Sequence, residues 1–202
     1  MEIFNLPNSL TILRILLVPV FTYLFLNHEY RIALLVFMFT GATDVIDGYL
    51  ARRLKKKTTL GSILDPAADK LLMFVTFIVL AIQGIVPVYL SVIVIFRDLW
   101  IIGGLFVLTR LKKRLFFKPT RLSKLNTFFQ LLTIFLAFLI TLIRYEQPHL
   151  LLPYVGIFTH LLQVVVYIAA AMAVITGIQY TRIGFMIQRG AREYADLPLQ
   201  KN

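Results

Sequence analysis

Two short runs decide how this sequence is read: Asp44-Val45-Ile46-Asp47-Gly48-Tyr49-Leu50-Ala51-Arg52, and Gly61-Ser62-Ile63-Leu64-Asp65-Pro66-Ala67-Ala68-Asp69. The chain has ten acidic residues, and four of them, Asp44, Asp47, Asp65 and Asp69, fall within these runs. Each run is embedded in apolar sequence, and the basic stretch Arg52, Arg53, Lys55, Lys56, Lys57 separates them. Asp44 and Asp47 are three apart and Asp65 and Asp69 four apart, so on helices each pair shares a face. Gly48 and Ala51 fall on the stripe of Asp44 and Asp47. Asp65-Pro66 reads as an N-cap followed by proline at the first helical position, so a helix is expected to start or be re-entered there. The two acidic pairs then face each other across a helical hairpin.

The surrounding sequence makes that hairpin a membrane one. Of the 202 residues, 59% are hydrophobic and the mean hydropathy is +0.82, against about 45 to 50% apolar in soluble domains. Apolar runs cover roughly 10–27, 32–51, 66–83, 86–109, 124–143 and 151–179, each close to the ~20 residues a bilayer-spanning helix needs. The expected fold is therefore all-α, with six transmembrane helices. Residues 1–181 form one membrane domain and 182–202 a polar C-terminal tail suited to lie as a helix on the membrane surface. The first apolar run opens with Glu2 and lacks a basic flank, so it reads as a span and not as a signal peptide.

Basic residues set the orientation, because Lys and Arg concentrate in cytoplasmic loops. Sixteen of the 21 lie after span two (Arg52 to Lys57), after span four (Arg110 to Lys124) or in the tail (Arg182 onward), whereas the opposite loops hold only Arg31 and Arg144. An even number of spans with both termini cytoplasmic accounts for this bias. It places the four aspartates at the cytoplasmic mouth of helices two and three.

Ionised aspartates at membrane depth cost several kcal/mol each unless paired or metal-bound, and four together repel without a counter-charge. Hard oxygen ligands with no cysteine in the chain favour Mg²⁺ or Mn²⁺ over zinc, and four carboxylates suit two such ions. Two divalent cations can clamp a pyrophosphate, activate an attacking oxygen and stabilise a leaving phosphate. Gly48 and Ala51 leave room for a nucleotide to approach the helix backbone, and Arg52 can neutralise phosphate oxygens. The net charge of +11 points to anionic lipid headgroups and phosphorylated substrates, not nucleic acid, since no basic-aromatic soluble module is present. His28, His149 and His160 are scattered, which argues against a nucleophilic hydrolase. A proton-coupled transporter would also carry intramembrane carboxylates and Arg97, but no second half repeats this acidic cluster.

The pattern Asp44-x-x-Asp47-Gly48-x-x-Ala51-Arg52, then eight residues, then Gly61-x-x-x-Asp65-x-x-x-Asp69 resembles without departure the signature of the CDP-alcohol phosphatidyltransferase family. The opening Pro7-Asn8-x-Leu10-Thr11-x-x-Arg14 with Pro19 is similar to members that make glycerophospholipids. The resemblance implies a six-helix, dimeric membrane enzyme with a cytoplasm-facing cavity holding two metals. It implies Asp44, Asp47 and Asp65 as principal metal ligands, Asp69 near a metal and serving as general base, and Gly48, Ala51, Arg52 and Gly61 as the CDP-binding surface. The implied reaction moves a phosphatidyl group from CDP-diacylglycerol to an alcohol and releases CMP.

Which alcohol is left open between two branches. Arg97-Asp98 and the stretch Lys118-Pro119-Thr120-x-x-Ser123-Lys124-x-Asn126-Thr127-x-x-Gln130 resemble eukaryotic-type cardiolipin synthases, with phosphatidylglycerol as acceptor. Phosphatidylglycerophosphate synthases, which take glycerol 3-phosphate, usually carry Arg-Glu at the first position and Gly-Lys-x-Lys-Thr over Ser123 to Thr127. An asparagine at 126 in place of a lysine leans toward the less charged lipid acceptor. Arg97, Arg110 and Lys124 are the expected acceptor-binding residues, although Arg97-Asp98 also reads as a structural ion pair and Lys124 as a snorkelling lysine. A short chain with no evident transit peptide is expected to lie in a bacterial inner membrane with its active site facing the cytoplasm.

Overall fold

Two turns of the same design shape the first half of the chain. At Asn27-His28-Glu29 the His28 N–H bonds to the Phe25 carbonyl at 3.2 Å and the Glu29 N–H to the Leu24 carbonyl at 3.0 Å, with His28 at φ 66°. At Gln83-Gly84-Ile85 the Gly84 N–H bonds to the Ala81 carbonyl and the Ile85 N–H to the Leu80 carbonyl, with Gly84 also at φ 66°. Both are Schellman closures, in which a left-handed residue past the helix end satisfies carbonyls that the helix leaves open.

The computed structural model describes residues 6–54, 61–110, 120–146 and 151–188; the side chains of 6–10, 44–54, 61–67, 69, 109 and 110 lie outside the described residues. The elements are α1 (Leu6–Leu26), α2 (Tyr30–Leu54), α3 (Gly61–Ile82), α4 (Val88–Arg110), α5 (Arg121–Glu146) and α6 (Val155–Gln188), with a 3-10 turn at Leu152–Tyr154. Among the described residues there is no strand, as an all-α reading requires. Three helical segments, Val88–Leu108, Arg121–Glu146 and Leu152–Gln188, are long and apolar enough to cross a membrane. Thr11–Leu26, Tyr30–Thr43 and Lys70–Ile82 are shorter apolar helices. Exposed Leu16, Leu35, Phe96, Phe106, Phe135 and Tyr167 make an outer surface suited to hydrocarbon and not to water.

One helix boundary differs from expectation. Helix α3 begins at Gly61, four residues before Asp65, so Asp65-Pro66 is not its start. Pro66 lacks an N–H, but so near the N-terminus this removes a single intrahelical bond and the helix passes through. Helix α6 runs on through Arg182 to Gln188, so the first residues of the polar tail are helical; residues 189–202 lie outside the described residues.

The chain divides into two compact units, residues 1–88 with 134–159 and residues 89–133 with 160–202. In the first, α1, α2 and α3 pack on one another. Its core is aromatic: Phe25 meets Phe138 edge-on at 5.3 Å and Tyr30 at 5.0 Å, and Phe21 lies 5.8 Å from Phe25 and 6.3 Å from Phe138. Around the 27–29 turn, His28 stacks on Tyr145 and shares a hydrogen bond with Tyr30 at 2.7 Å. Arg31 pairs with Glu146, and Arg144 Nη2 donates to Thr159 Oγ1 at 3.4 Å. Arg31 and Arg144, expected in the sparsely charged loops, thus each have a local partner.

In the second unit, α4, the first half of α5 and most of α6 are joined by polar contacts. Trp100 Nε1 donates to Thr181 Oγ1 at 2.9 Å. Thr120 is the N-cap of α5, accepting the Ser123 N–H on its hydroxyl at 3.1 Å, and that hydroxyl donates to Gln179 Oε1 at 3.3 Å.

Candidate active site

Helix register places the four aspartate positions. Asp44, Asp47, Gly48 and Ala51 occupy positions i, i+3, i+4 and i+7 near the end of α2, one stripe of a 3.6-residue helix. Because α3 starts at Gly61, the positions Gly61, Asp65 and Asp69 follow as i, i+4 and i+8. Gly61 thereby joins the stripe of the two aspartates, which a helix starting at Asp65 would not allow. The two helices pack in the same unit, and the connection between them is residues 55–60. The side chains of Asp44, Asp47, Asp65 and Asp69, and of Gly48, Ala51, Arg52 and Gly61, lie outside the described residues. What the structure supplies for them is helical position.

The described neighbours are polar where a bilayer helix is ordinarily apolar. Thr40 and Thr43, on the turn before Asp44, are buried and bond back to Val36 and Thr40 carbonyls at 2.6 and 2.8 Å. Ala68, just before Asp69, is 1% exposed. On α1, Thr11 and Arg14 are buried, and Arg14, at 1% exposure, is among the largest fully buried side chains. At 1.5 Å per residue, Arg14, Asp44 and Asp69 each lie about 20 Å along their helices from the turns at 27–29 and 83–87. A buried guanidinium is therefore level with the carboxylate positions. Sequence reading met Arg14 only as part of a resemblance; its place in a mid-helix apolar run was the available signal.

Donor chemistry fits divalent cations. Four carboxylate-bearing positions on two packed helices offer only hard oxygen ligands, as Mg²⁺ or Mn²⁺ prefers.

The residues expected to bind the acceptor fall in the second unit, and the structure treats them differently. Arg97 is 8% exposed and Asp98 3%. Arg97 Nη1 donates to Asp98 Oδ1 at 2.6 Å, Nε to Thr176 Oγ1 at 3.0 Å and Nη2 to Ser123 Oγ at 3.4 Å. The guanidinium carbon stands 5.7 Å over the Tyr180 ring, a cation–π contact. Arg97 is thus a buried hub joining α4, α5 and α6, its charge offset by Asp98. Lys124 is exposed on α5, and the Arg110 side chain lies outside the described residues. Sequence reasoning did not assign roles to Thr176 and Tyr180, since α6 reads as apolar along most of its length and only tertiary packing brings them to Arg97.

Three helices long and apolar enough to cross a membrane and a lipid-suited surface mark an integral membrane protein, and two of its packed helices carry the four aspartate positions. A profile of the CDP-alcohol phosphatidyltransferase family matches residues 4–179, and the chain belongs to that family. It is similar to the cardiolipin synthase (CMP-forming) of Rattus norvegicus, 37% identical over 146 residues, covering 64% of this chain and 48% of the relative. The cardiolipin synthase (CMP-forming) of Homo sapiens is 36% identical over 146 residues, with the same coverage of 64% and 48%. The CDP-diacylglycerol–glycerol-3-phosphate 3-phosphatidyltransferase of Pseudomonas fluorescens is 51% identical over 79 residues, 38% of this chain and 40% of that one. The chain spans about half the length of the curated relatives it matches.

Proposed function

We propose that this protein is a metal-dependent phosphatidyltransferase of phospholipid biosynthesis, taking CDP-diacylglycerol and a glycerol-based alcohol, with phosphatidylglycerol the preferred acceptor. The observation that carries the reading is the register: Asp44 and Asp47 share one stripe of α2, and Gly61, Asp65 and Asp69 share one of α3, in a chain of this family. Bound at Asp44, Asp47, Asp65 and Asp69, two Mg²⁺ or Mn²⁺ ions would supply charge neutralisation at the pyrophosphate. Gly48, Ala51 and Gly61 leave space for the cytidine diphosphate, and Arg52 pairs with its phosphates.

Asp69 takes the proton from the acceptor hydroxyl. That oxygen bonds to the lipid-side phosphorus, and the bond from this phosphorus to the bridging oxygen breaks. CMP departs with the electron pair. Arg14, level with the acidic positions, offsets their negative charge within the membrane.

Sixteen basic residues on one side of the expected topology support six spans with cytoplasmic termini and a cytoplasm-facing site. Family resemblance supports a homodimer. A second reading, with glycerol 3-phosphate as acceptor, is favoured by the 51% identity to the Pseudomonas fluorescens protein. Neutralisation of Arg97 by Asp98 and the asparagine at 126 favour the less charged lipid. The test is CMP release by purified protein given CDP-diacylglycerol with Mg²⁺ and each acceptor in turn. Release with phosphatidylglycerol is expected; release with glycerol 3-phosphate alone would overturn the acceptor, and release with neither would overturn the activity.

A further inference from the structure

Helix α5 carries a polar stripe to which the chemical step described above gives no contact. Ser123, Asn126, Gln130 and Thr133 fall at i, i+3, i+7 and i+10, one face of the helix. Thr133 bonds back to the Phe129 carbonyl at 2.8 Å, and Ser123 accepts from Arg97. Asn126 is 0% and Gln130 2% exposed. Among the described residues, neither the Nδ2 nor the Oδ1 of Asn126, nor the Nε2 of Gln130, has a hydrogen-bond partner. Buried amides are ordinarily satisfied, and these three unmet atoms on one face mark a place where something else completes them.

The unmet atoms specify the chemistry. Asn126 presents a donor and an acceptor together, and Gln130 a donor. A phosphate oxygen only accepts and would leave Asn126 Oδ1 unmet, whereas a hydroxyl both donates and accepts. The neighbouring cation, Arg97, is already offset by Asp98, so the stripe is formally neutral. At its outer end Thr120 and Ser123 are half-buried, Asn126 is one turn further in, and Gln130 is a turn beyond that.

We propose that Asn126 and Gln130 recognise the hydroxyl groups of the acceptor's glycerol moiety and so set acceptor specificity. This rests on the phosphatidyltransferase reading and deepens it. Phosphatidylglycerol and glycerol 3-phosphate share that chemistry, so the test separates them.

Affinities are measured by ligand-induced stabilisation of the full-length protein in detergent, with two pairs of probes: short-chain phosphatidylglycerol against phosphatidylmethanol of the same chains, and glycerol 3-phosphate against methyl phosphate. Within each pair the charge is matched and only the hydroxyl-bearing headgroup differs. The wild type is expected to prefer the glycerol member of one pair by about tenfold or more, and the pair showing it identifies the source. Asn126→Leu with Gln130→Leu is expected to abolish that preference. Should the double variant not fold, Gln130→Met, close in shape and without the amide, is read in the same way, and the wild-type comparison requires no variant.

Equal affinities within both pairs would overturn the proposal. So would a preference that survives in the folded variant, or a variant that merely becomes more heat-stable with unchanged preference, as expected of an amide without a ligand. CMP release is scored separately: a wild type that discriminates in binding but releases no CMP refutes the reaction and leaves the subsite standing.

Discussion

Arg97 and Asp98, adjacent in sequence on α4, form an ion pair at 2.6 Å with both side chains buried. Through Thr176 and Ser123 the pair also ties α4 to α6 and α5. Removing one partner leaves a charge in an apolar interior. Asp98→Ala is expected to destabilise the protein by about 3–5 kcal/mol. Arg97→Met with Asp98→Leu should recover most of that loss, because the desolvation cost disappears with both charges. Unfolding of the purified protein in detergent measures both, and equal destabilisation by single and double variants would contradict the buried-pair account.

Asp69→Asn keeps size and hydrogen-bonding capacity but removes the base. CMP release is expected to fall by about 10²- to 10⁴-fold while the KM for CDP-diacylglycerol changes little. Turnover at the wild-type rate would remove Asp69 from the chemistry.

Metal dependence separates the acidic roles. Chelation should abolish CMP release, and Mg²⁺ or Mn²⁺ should restore it. In Asp44→Asn the concentration of Mg²⁺ needed for half-maximal activity should rise about tenfold or more. A variant that saturates at the wild-type concentration would exclude Asp44 as a ligand.

Gly84 holds φ 66° at the end of α3, and a Cβ built there meets nothing within 4 Å. The cost of Gly84→Ala is therefore confined to the backbone, about 1 kcal/mol. A modest fall in unfolding temperature with unchanged KM for either substrate is the expected result; a change in KM would mean that the turn does more than close a helix.

The chain contains no cysteine, so single replacements report topology directly. With a membrane-impermeant maleimide on intact cells, Glu29→Cys should label and Lys56→Cys should label only after the membrane is opened. Labelling of both from outside would refute six spans with cytoplasmic termini.

Helices, and the spacing on which the proposed chemistry rests, were legible in the sequence because both depend on local pattern. Apolar length marks a membrane helix wherever it occurs, and Asp44 with Asp47, or Asp65 with Asp69, is one face of any helix. Helix ends were less legible: Asp65-Pro66 looks like a start, yet one lost backbone bond is cheap enough for α3 to begin at Gly61. What only the tertiary structure decided is which polar groups are buried and with whom. Arg97 meets Thr176 across 79 positions of sequence, Arg14 is enclosed level with the acidic positions, and Asn126 and Gln130 are enclosed with amide atoms that meet no partner among the described residues. Spacing along one helix cannot report such facts, because burial and pairing depend on which other helices pack against that face.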